Sequence, residues 1–204
     1  MTYRTEQERF WAGEFGNEYL ERNVGESRIF SNAVLFSKIL ESAPGAKSIV
    51  ELGCNRGLNL LALNRINNQF ELCGYEINDA AALLATELHV AEIVAGTILD
   101  KIPTTKTYDL SFTKGVLIHI NPDELSVVYE NLYRLSNRYI VVCEYYNPAP
   151  VVVRYRGNDD KLFKRDFAGE LIDKYNLRLV NYGFAYHRDC YFPQDDLTWF
   201  LLEK

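Results

Sequence analysis

The chain has few cysteines, and no two of them have the spacing of a metal-binding pair. Cys54, Cys73, Cys143 and Cys190 are scattered through 204 residues without a C-x-x-C motif. This pattern predicts neither a disulfide framework nor a zinc site, and we expect no bound metal. Free thiols in strands behave as small buried hydrophobes, so a reducing, cytoplasmic location is expected.

The chain also lacks an excess of positive charge and any long apolar run. Its formal net charge is −6, which does not favour binding to nucleic acid or anionic membranes, because both need a concentrated basic surface. No apolar stretch approaches the length of a transmembrane helix, and Met1–Glu8 lacks the layout of a signal peptide. The composition, 48% hydrophobic and 25% charged, is typical of one folded domain. No pattern predicts an oligomeric state.

The most informative segment changes from a strand-like run to helical spacing across two glycines. The apolar run Ile49–Leu52 leads into a Gly53-x-Asn55-x-Gly57 turn, and a helical pattern follows over Leu60–Ile66. Glycine and asparagine tolerate a positive φ, and glycine lets the backbone approach a ligand closely. A strand, a glycine turn and a helix in this order indicate a nucleotide site.

A second predicted strand, Phe70–Glu76, places a carboxylate nineteen residues beyond Gly57. An acidic residue at about this distance can accept both hydroxyls of a ribose, so an adenosine-containing cofactor is expected. The turn lacks the third glycine of the G-x-G-x-x-G fingerprint, which counts against a nicotinamide-dependent sugar oxidoreductase. A tight connection without a ligand is the remaining alternative.

The order Glu51-x-Gly53-x-Asn55-x-Gly57 resembles motif I of the class I S-adenosylmethionine-dependent methyltransferases, with Asn55 in place of the middle glycine. Segment Asp109–Ile120 resembles their motif IV. The resemblance implies S-adenosylmethionine as the cofactor and Glu51 near its amino-acid end. The predicted cofactor-binding residues are Glu51, Gly53, Asn55, Gly57, Glu76, Ile77, Thr97, Ile98, Thr113, Lys114 and Gly115.

One position departs from the family pattern. Many relatives carry an aspartate directly after the glycine that follows the third strand, where it binds the adenine amino group, but this chain has Thr97 after Gly96. We therefore expect backbone groups near Thr97 and Ile98 to hold the adenine, without a side-chain carboxylate.

The order of elements predicts an α/β fold. Strands alternate with helices through most of the chain, which indicates a parallel sheet with helices on both faces. The resemblance implies a Rossmann-like methyltransferase sheet ending in an antiparallel strand pair. We expect one domain over residues 27–204, an N-terminal helical cover over residues 1–26 and a substrate loop at about 145–170. The strands are predicted at 48–52, 70–76, 91–95, 107–112, 138–144, 178–186 and 197–202, and the helices at 27–42, 57–67, 79–88 and 122–135.

The loop over 145–170, called the basic loop below, is locally cationic in an acidic protein. Arginine presents a planar fork suited to carboxylate or phosphate, so an anionic small molecule is expected to bind here. The alternative is a solvated loop whose charges face water or pair with Asp159, Asp160 and Asp166. The residues predicted to bind substrate in this loop are Tyr146, Arg156, Lys164 and Arg165.

The N-terminal segment carries an aromatic stripe. Trp11, Phe15 and Tyr19 are four residues apart and share one face if Gly13 and Gly16 permit a single helix. As a lid, this segment would exclude water and bring Trp11, Tyr19, Arg22 and Asn23 to the substrate. The alternative is core packing.

Three segments resemble one particular group of methyltransferase-like proteins. Residues 8–19, 51–57 and 144–170 look like the pseudaminic acid biosynthesis-associated methylases. This resemblance implies a substrate that is an anionic sugar or nucleotide-sugar of bacterial surface-glycan synthesis. A protein that binds the cofactor without catalysis is the alternative.

A hydroxyl acceptor needs its proton removed during methyl transfer. The predicted catalytic residues are Glu144, His119 and Tyr145, which lie at or near the carboxyl ends of strands. Glu144 ranks ahead of His119, because a histidine that follows an apolar run is often a packed one.

Overall fold

The computed structural model describes residues 3–22 and 25–204, without the side chain of Arg22. The strands are β1 Ser48–Leu52, β2 Glu71–Glu76, β3 Glu92–Ala95, β4 Tyr108–Lys114, β5 Ser136–Glu144, β6 Val151–Val152, β7 Phe163–Lys164, β8 Arg178–Ala185 and β9 Leu197–Glu203. The helices are α1 Glu6–Ala12, α2 Glu14–Arg22, α3 Glu26–Leu40, α4 Leu58–Ile66, α5 Asp79–Glu87, α6 Leu125–Leu135 and α7 Phe167–Tyr175.

Seven strands form one sheet in the order β3-β2-β1-β4-β5-β9-β8. The first five are parallel, and β9 pairs antiparallel with both β5 and β8. This arrangement confirms the predicted mostly parallel sheet with a C-terminal antiparallel pair. The order reverses between β1 and β4, which is where open α/β sheets bind ligands.

Apolar side chains fill both faces of the sheet. In β1, Ile49 packs into the core that includes Phe36 and Phe112, whereas Val50 packs into the core of Leu132 and Leu171. This alternation follows from the two-residue period of a strand, and burial on both faces accounts for the nearly continuous apolar run in β1. Two cores therefore hold the carboxyl ends of β1 and β4 side by side.

Two helical segments differ from the prediction, one at its first turn and one by being divided in two. Asn121 accepts a hydrogen bond from the Asp123 N–H at 3.0 Å, as the predicted cap. The first turn after it, Pro122–Glu124, is a 3₁₀ turn, and the α-helix begins at Leu125. Near the N-terminus the predicted single helix is divided, because the backbone becomes extended at Gly13.

The basic loop contains regular structure of its own. Strands β6 and β7 pair antiparallel, with Val151 opposite Lys164. None of the helices in the described part of the chain is long and apolar enough to cross a bilayer.

Candidate functional site

A cavity of about 470 Å³ opens at the carboxyl edge of the parallel strands. Its walls come from the turns that follow β1 to β4, from the N-terminal segment, from the start of α3 and from the loop before β9. The sheet thus brings together segments that are up to about 190 residues apart in the chain, such as Thr5 and Leu197.

The glycine turn after β1 forms the floor of the cavity. Gly53 and Asn55 both line it, with φ of 80° and 49°. A Cβ on Gly53 would lie 2.7 Å from a methyl carbon of Val116, so no larger residue fits between the two turns. Gly57, with φ of 79°, lies behind the wall, where it begins α4. The predicted turn is therefore present, with Gly57 in a structural position.

Glu76 closes the turn from the end of β2. Its side chain is buried, and its two oxygens accept the Asn55 N–H at 2.7 Å and the Asn78 N–H at 2.8 Å. Burial raises the pKa of this carboxyl, and the backbone N–H bonds partly oppose that rise. Each carboxylate oxygen can accept more than one hydrogen bond, so acceptor capacity remains for a ligand in the cavity.

Glu51 lies beneath the cavity wall. It is fully buried, and Asn59 Nδ2, which does reach the wall, donates to its Oε1 at 2.6 Å. Burial raises the pKa of Glu51 to about 8. Glu51 Oε2 and Asn59 Oδ1 are buried acceptors without a protein partner. Such groups are uncommon in folded proteins, and here one of the two belongs to a residue that lines the cavity.

Most of the other predicted cofactor residues also reach the cavity. Thr113 is fully buried and lies behind the wall. Gly115, with φ of 67°, lets the chain turn away from β4 at the cavity. The residues after β2, β3 and β4 that line the cavity as predicted are Ile77, Thr97, Ile98, Lys114 and Gly115.

A carboxylate does lie beside Thr97, contrary to the sequence expectation. Glu8 of α1 lines the cavity, and its Oε1 accepts a hydrogen bond from the Thr97 hydroxyl. Arg4 donates its backbone N–H to Glu8 Oε2 at 2.6 Å and a guanidinium N–H to the Leu99 carbonyl at 2.8 Å. The start of the chain is thus fastened across the loop after β3.

His119 is held in one tautomer on the cavity wall. Its Nδ1 lies 2.6 Å from the Lys161 carbonyl oxygen, which can only accept, so Nδ1 carries the proton and Nε2 is the free acceptor. The ring lies between Trp11 and Tyr155, with centroid distances of 4.5 and 5.2 Å. Burial lowers the pKa of His119 to about 4, so the imidazole is neutral at neutral pH.

Glu144, ranked first from the sequence as the general base, is not at the cavity. Its carboxylate accepts the N–H groups of Val116 and Leu117 at 3.1 Å and of Ile118 at 3.5 Å. Burial raises the pKa of Glu144 to about 7, although these N–H bonds act in the opposite direction. The residue shapes the turn that carries His119, and it is His119 that faces the cavity.

Aromatic rings form the walls around His119. Trp11 packs edge-on against Phe15 and Tyr19 at 5.3 and 5.2 Å, so the predicted stripe exists although two helices share it. Trp11, Tyr19 and Tyr145 line the cavity. Burial raises the pKa of the Tyr145 hydroxyl, which therefore stays protonated at neutral pH and can donate a hydrogen bond.

The cations predicted in the basic loop lie outside the cavity wall. Arg165 is within 3.3 Å of Glu170, Lys164 lies over the Tyr145 ring, and Arg156 lies over the Tyr155 ring. Tyr146 is exposed and does not line the cavity. The contacts of these three cations are with Glu170 and two tyrosine rings, and not with the aspartates of the alternative. Arg22 and Asn23 were predicted to lie near the substrate, but the side chain of Arg22 and the whole of Asn23 are outside the described part of the structure.

Several residues of the cavity are not indicated by the sequence. Arg28 and Asn32 come from α3, and Gln194 from the loop before β9 donates to Asn32 Oδ1 at 3.0 Å. Arg28 lies 3.8 Å from Asp195 of the same loop. No spacing in the sequence points to these residues, because two distant segments meet only in the fold. Among the described residues, no group of three His, Cys, Asp or Glu side chains is placed to hold a metal ion.

Solved structures show what this arrangement resembles. The magnesium protoporphyrin IX methyltransferase of Synechocystis PCC 6803, with bound S-adenosylmethionine, is 11% identical, with 100% of each chain covered and a TM-score of 0.71. The plantazolicin methyltransferase bound to S-adenosylhomocysteine is 14% identical, with 97% of this chain and 93% of that chain covered and a TM-score of 0.67. The mitomycin 7-O-methyltransferase is 15% identical, with 98% of this chain and 61% of that chain covered and a TM-score of 0.67.

No protein-family model and no curated protein matches the chain. At these identities the structural likeness establishes the fold. The protein has the Rossmann-like fold of the class I methyltransferases.

Proposed function

We propose that this protein is an S-adenosylmethionine-dependent methyltransferase that acts on a hydroxyl group of a small molecule. The observation that carries the proposal is the cavity itself, where the Gly53–Asn55 turn, the buried Glu76 and the neutral His119 meet at the switch point of the sheet. The solved structures of this fold with bound S-adenosylmethionine or S-adenosylhomocysteine support the same cofactor class.

The residues present fit that cofactor. Glu76 has acceptor capacity for the two ribose hydroxyls, and Ile77 and Ile98 offer apolar surface to a base. Asn59 Oδ1 on the wall and Glu51 beneath it form an acceptor site suited to the ammonium group of the amino-acid end, because that positive charge would favour the ionised form of Glu51. Lys114, on the same wall, suits its carboxylate. When bound, S-adenosylmethionine supplies a methyl group on a positively charged sulfur.

His119 is the residue we assign as the general base. The Lys161 carbonyl fixes the Nδ1–H tautomer, which leaves the Nε2 lone pair to accept the proton of the attacking hydroxyl. The walls formed by Trp11 and Tyr155 orient the ring and exclude water from it. Because the reaction is an in-line displacement, this alignment of acceptor and base supplies much of the rate enhancement.

The finer proposal is that the substrate is an anionic sugar or nucleotide-sugar of nonulosonic acid synthesis. Its support is the sequence resemblance, since the structural neighbours are named for other substrates. Within the cavity, Arg28 is the cation suited to an acidic group, and it would exchange its 3.8 Å partner Asp195 for that group. Tyr145 and Tyr155 supply hydroxyl groups and ring faces beside it.

The test separates the cofactor from the chemistry. The melting temperature of the protein is measured with S-adenosylmethionine, S-adenosylhomocysteine and NAD, because a ligand at 100 times its Kd stabilises the fold by about 2.7 kcal/mol. Nucleotide-sugars and acidic sugars are then incubated with protein and cofactor, and a mass increase of one methyl group is sought. Stabilisation by NAD alone would refute the cofactor assignment. Stabilisation by S-adenosylhomocysteine without methylation of any sugar would favour the non-catalytic alternative.

The variant His119→Gln tests whether His119 is the general base. Glutamine cannot take up the proton, so kcat should fall by about 10²- to 10⁴-fold while the Kd for S-adenosylhomocysteine stays within about twofold. His89→Gln, at an exposed position outside the cavity, is the matched control. An unchanged kcat in His119→Gln would remove this residue from the mechanism.

A further inference from the structure

The position of Glu8 is unusual for a carboxylate. The residue is 7% exposed and lines the cavity beside Thr97, Ile98 and Leu99. Among the described residues, no Lys or Arg side chain is within ion-pair distance of it, and its carboxylate is held by one hydroxyl and one backbone N–H. Burying a carboxylate with so few partners is costly, so its retention at a cavity wall indicates a donor that comes from the ligand.

The place of Glu8 along the cavity identifies that donor. Glu76, proposed to bind the ribose hydroxyls, is the last residue of β2. The neighbouring strand on this side of the sheet is β3, and the loop that follows it contains Thr97 and Ile98. A base attached to a ribose at Glu76 would extend toward the loop after β3, where Ile98 lines the same cavity as Ile77. Glu8 lines the cavity at this loop, where its carboxylate accepts from the Thr97 hydroxyl.

We infer that Glu8 recognises the exocyclic amino group of the cofactor's adenine, as a carboxylate supplied by the N-terminal helix and not by the end of β3. The inference rests on the proposed cofactor. A carboxylate accepts and cannot donate, so it matches the amino group of adenine and repels the oxygen of a 6-oxopurine. Two of its approximately four acceptor sites are occupied within the protein, which leaves capacity for the ligand.

Thr97 holds the Glu8 carboxylate in position. Its hydroxyl donates to Glu8 and accepts the Leu99 N–H at 3.0 Å, so it both fixes the loop and orients the carboxylate. An aspartate at position 97 would place a second negative charge against Glu8 and could not donate to it. Thr97, where the chain differs from the family pattern, is therefore compatible with a carboxylate supplied by Glu8, whereas an aspartate at that position would not be.

The experiment compares two ligands that differ in one group. Calorimetry gives the Kd of S-adenosylhomocysteine and of S-inosylhomocysteine, in which an oxygen replaces the amino group. We expect the unchanged protein to prefer the adenosyl ligand by at least about tenfold, which corresponds to one charge-assisted hydrogen bond. In Glu8→Gln this preference should fall by at least about tenfold, because glutamine can donate to the 6-oxo group. Glu6→Gln, on the exposed side of the same helix, is the control and should keep the preference.

The outcomes separate this inference from the proposed function. An equal preference in Glu8→Gln and the unchanged protein, with S-adenosylhomocysteine still bound and weakened by Glu76→Gln, would overturn the role of Glu8 and leave the cofactor site in place. Binding of neither ligand to the unchanged protein would overturn both. Because the preference is a ratio within one sample, a lower folded fraction affects both ligands equally. Glu8→Gln/Thr97→Asp provides a second variant, in which a carboxylate from the loop should restore the adenosyl preference.

Discussion

Replacing Glu51 with glutamine should change how the stability of the protein depends on pH. Glu51 is fully buried, and burial raises the pKa of its carboxyl to about 8 from an ordinary value of 4.5. In the unfolded chain the group ionises at its ordinary pKa. Between these two values the folded state therefore holds one proton more than the unfolded state. The stability that Glu51 contributes is complete below pH 4.5 and is lost as the pH rises towards 8.

The magnitude follows from the proton count. One proton changes the free energy of unfolding by about 1.4 kcal/mol per pH unit, and Glu51 is already half ionised in the folded state at pH 8, so it should remove about 2 kcal/mol between pH 6 and pH 8. Glutamine has the same shape, cannot ionise and can still accept from Asn59. The difference in free energy of unfolding between Glu51→Gln and the unchanged protein should rise in favour of the variant by this amount.

Urea denaturation at pH 6, 7, 8 and 9, with the slope on urea checked for constancy, measures the difference directly. Taking the difference at each pH removes the contribution of Glu144, whose pKa is also raised, and of His119, whose pKa is lowered. Glu87→Gln, at an exposed helix end, should give a difference that does not depend on pH. A pH-independent difference for Glu51→Gln as well would show that Glu51 is ionised in the folded protein, and the argument from burial would be wrong.

Three further outcomes are expected. Glu76→Ala should weaken S-adenosylhomocysteine binding by about 2–3 kcal/mol in calorimetry, since two charge-assisted hydrogen bonds are lost, and the exposed Glu71→Ala on the same strand should not. Once a substrate is found, Arg28→Gln should raise its KM by about tenfold at unchanged cofactor affinity, whereas Arg156→Gln, outside the cavity, should leave KM within about twofold. A cover that only closes over the substrate would be dispensable for cofactor binding, but α1 forms part of the cavity wall, so deleting Met1–Asn23 should weaken S-adenosylhomocysteine binding by at least about tenfold. Full-affinity binding by the truncated protein would contradict this.

The N-terminal segment shows why the sequence could not decide between lid and core. Its aromatic stripe is evident from the spacing of Trp11, Phe15 and Tyr19, but the spacing does not say what the stripe packs against. In the fold, Trp11 contacts His119, and Asn78 Nδ2 donates to the Trp11 carbonyl at 3.2 Å, so the segment is fastened at the cavity. It thus packs against the site, which combines features of both alternatives.

The parts of the protein that depend on local order along the chain could be predicted from its sequence. The strand–turn–helix around Gly53, the distance to Glu76 and the alternation of strands and helices each follow from neighbouring residues, because backbone conformation and two- or 3.6-residue periodicity are local properties. The parallel sheet and the edge at which its cavity opens could therefore be predicted from the order of residues alone.

Which side chains face the cavity depends on how distant segments of the chain pack together. Glu144 and His119 both follow apolar runs, yet the Glu144 carboxylate turns inward to three backbone N–H groups while His119 faces the cavity. In the basic loop, Arg165 forms an ion pair with Glu170. Glu8 forms a hydrogen bond with Thr97, which lies 89 residues away in the chain. Such meetings depend on how distant segments pack, and no periodicity or motif records them.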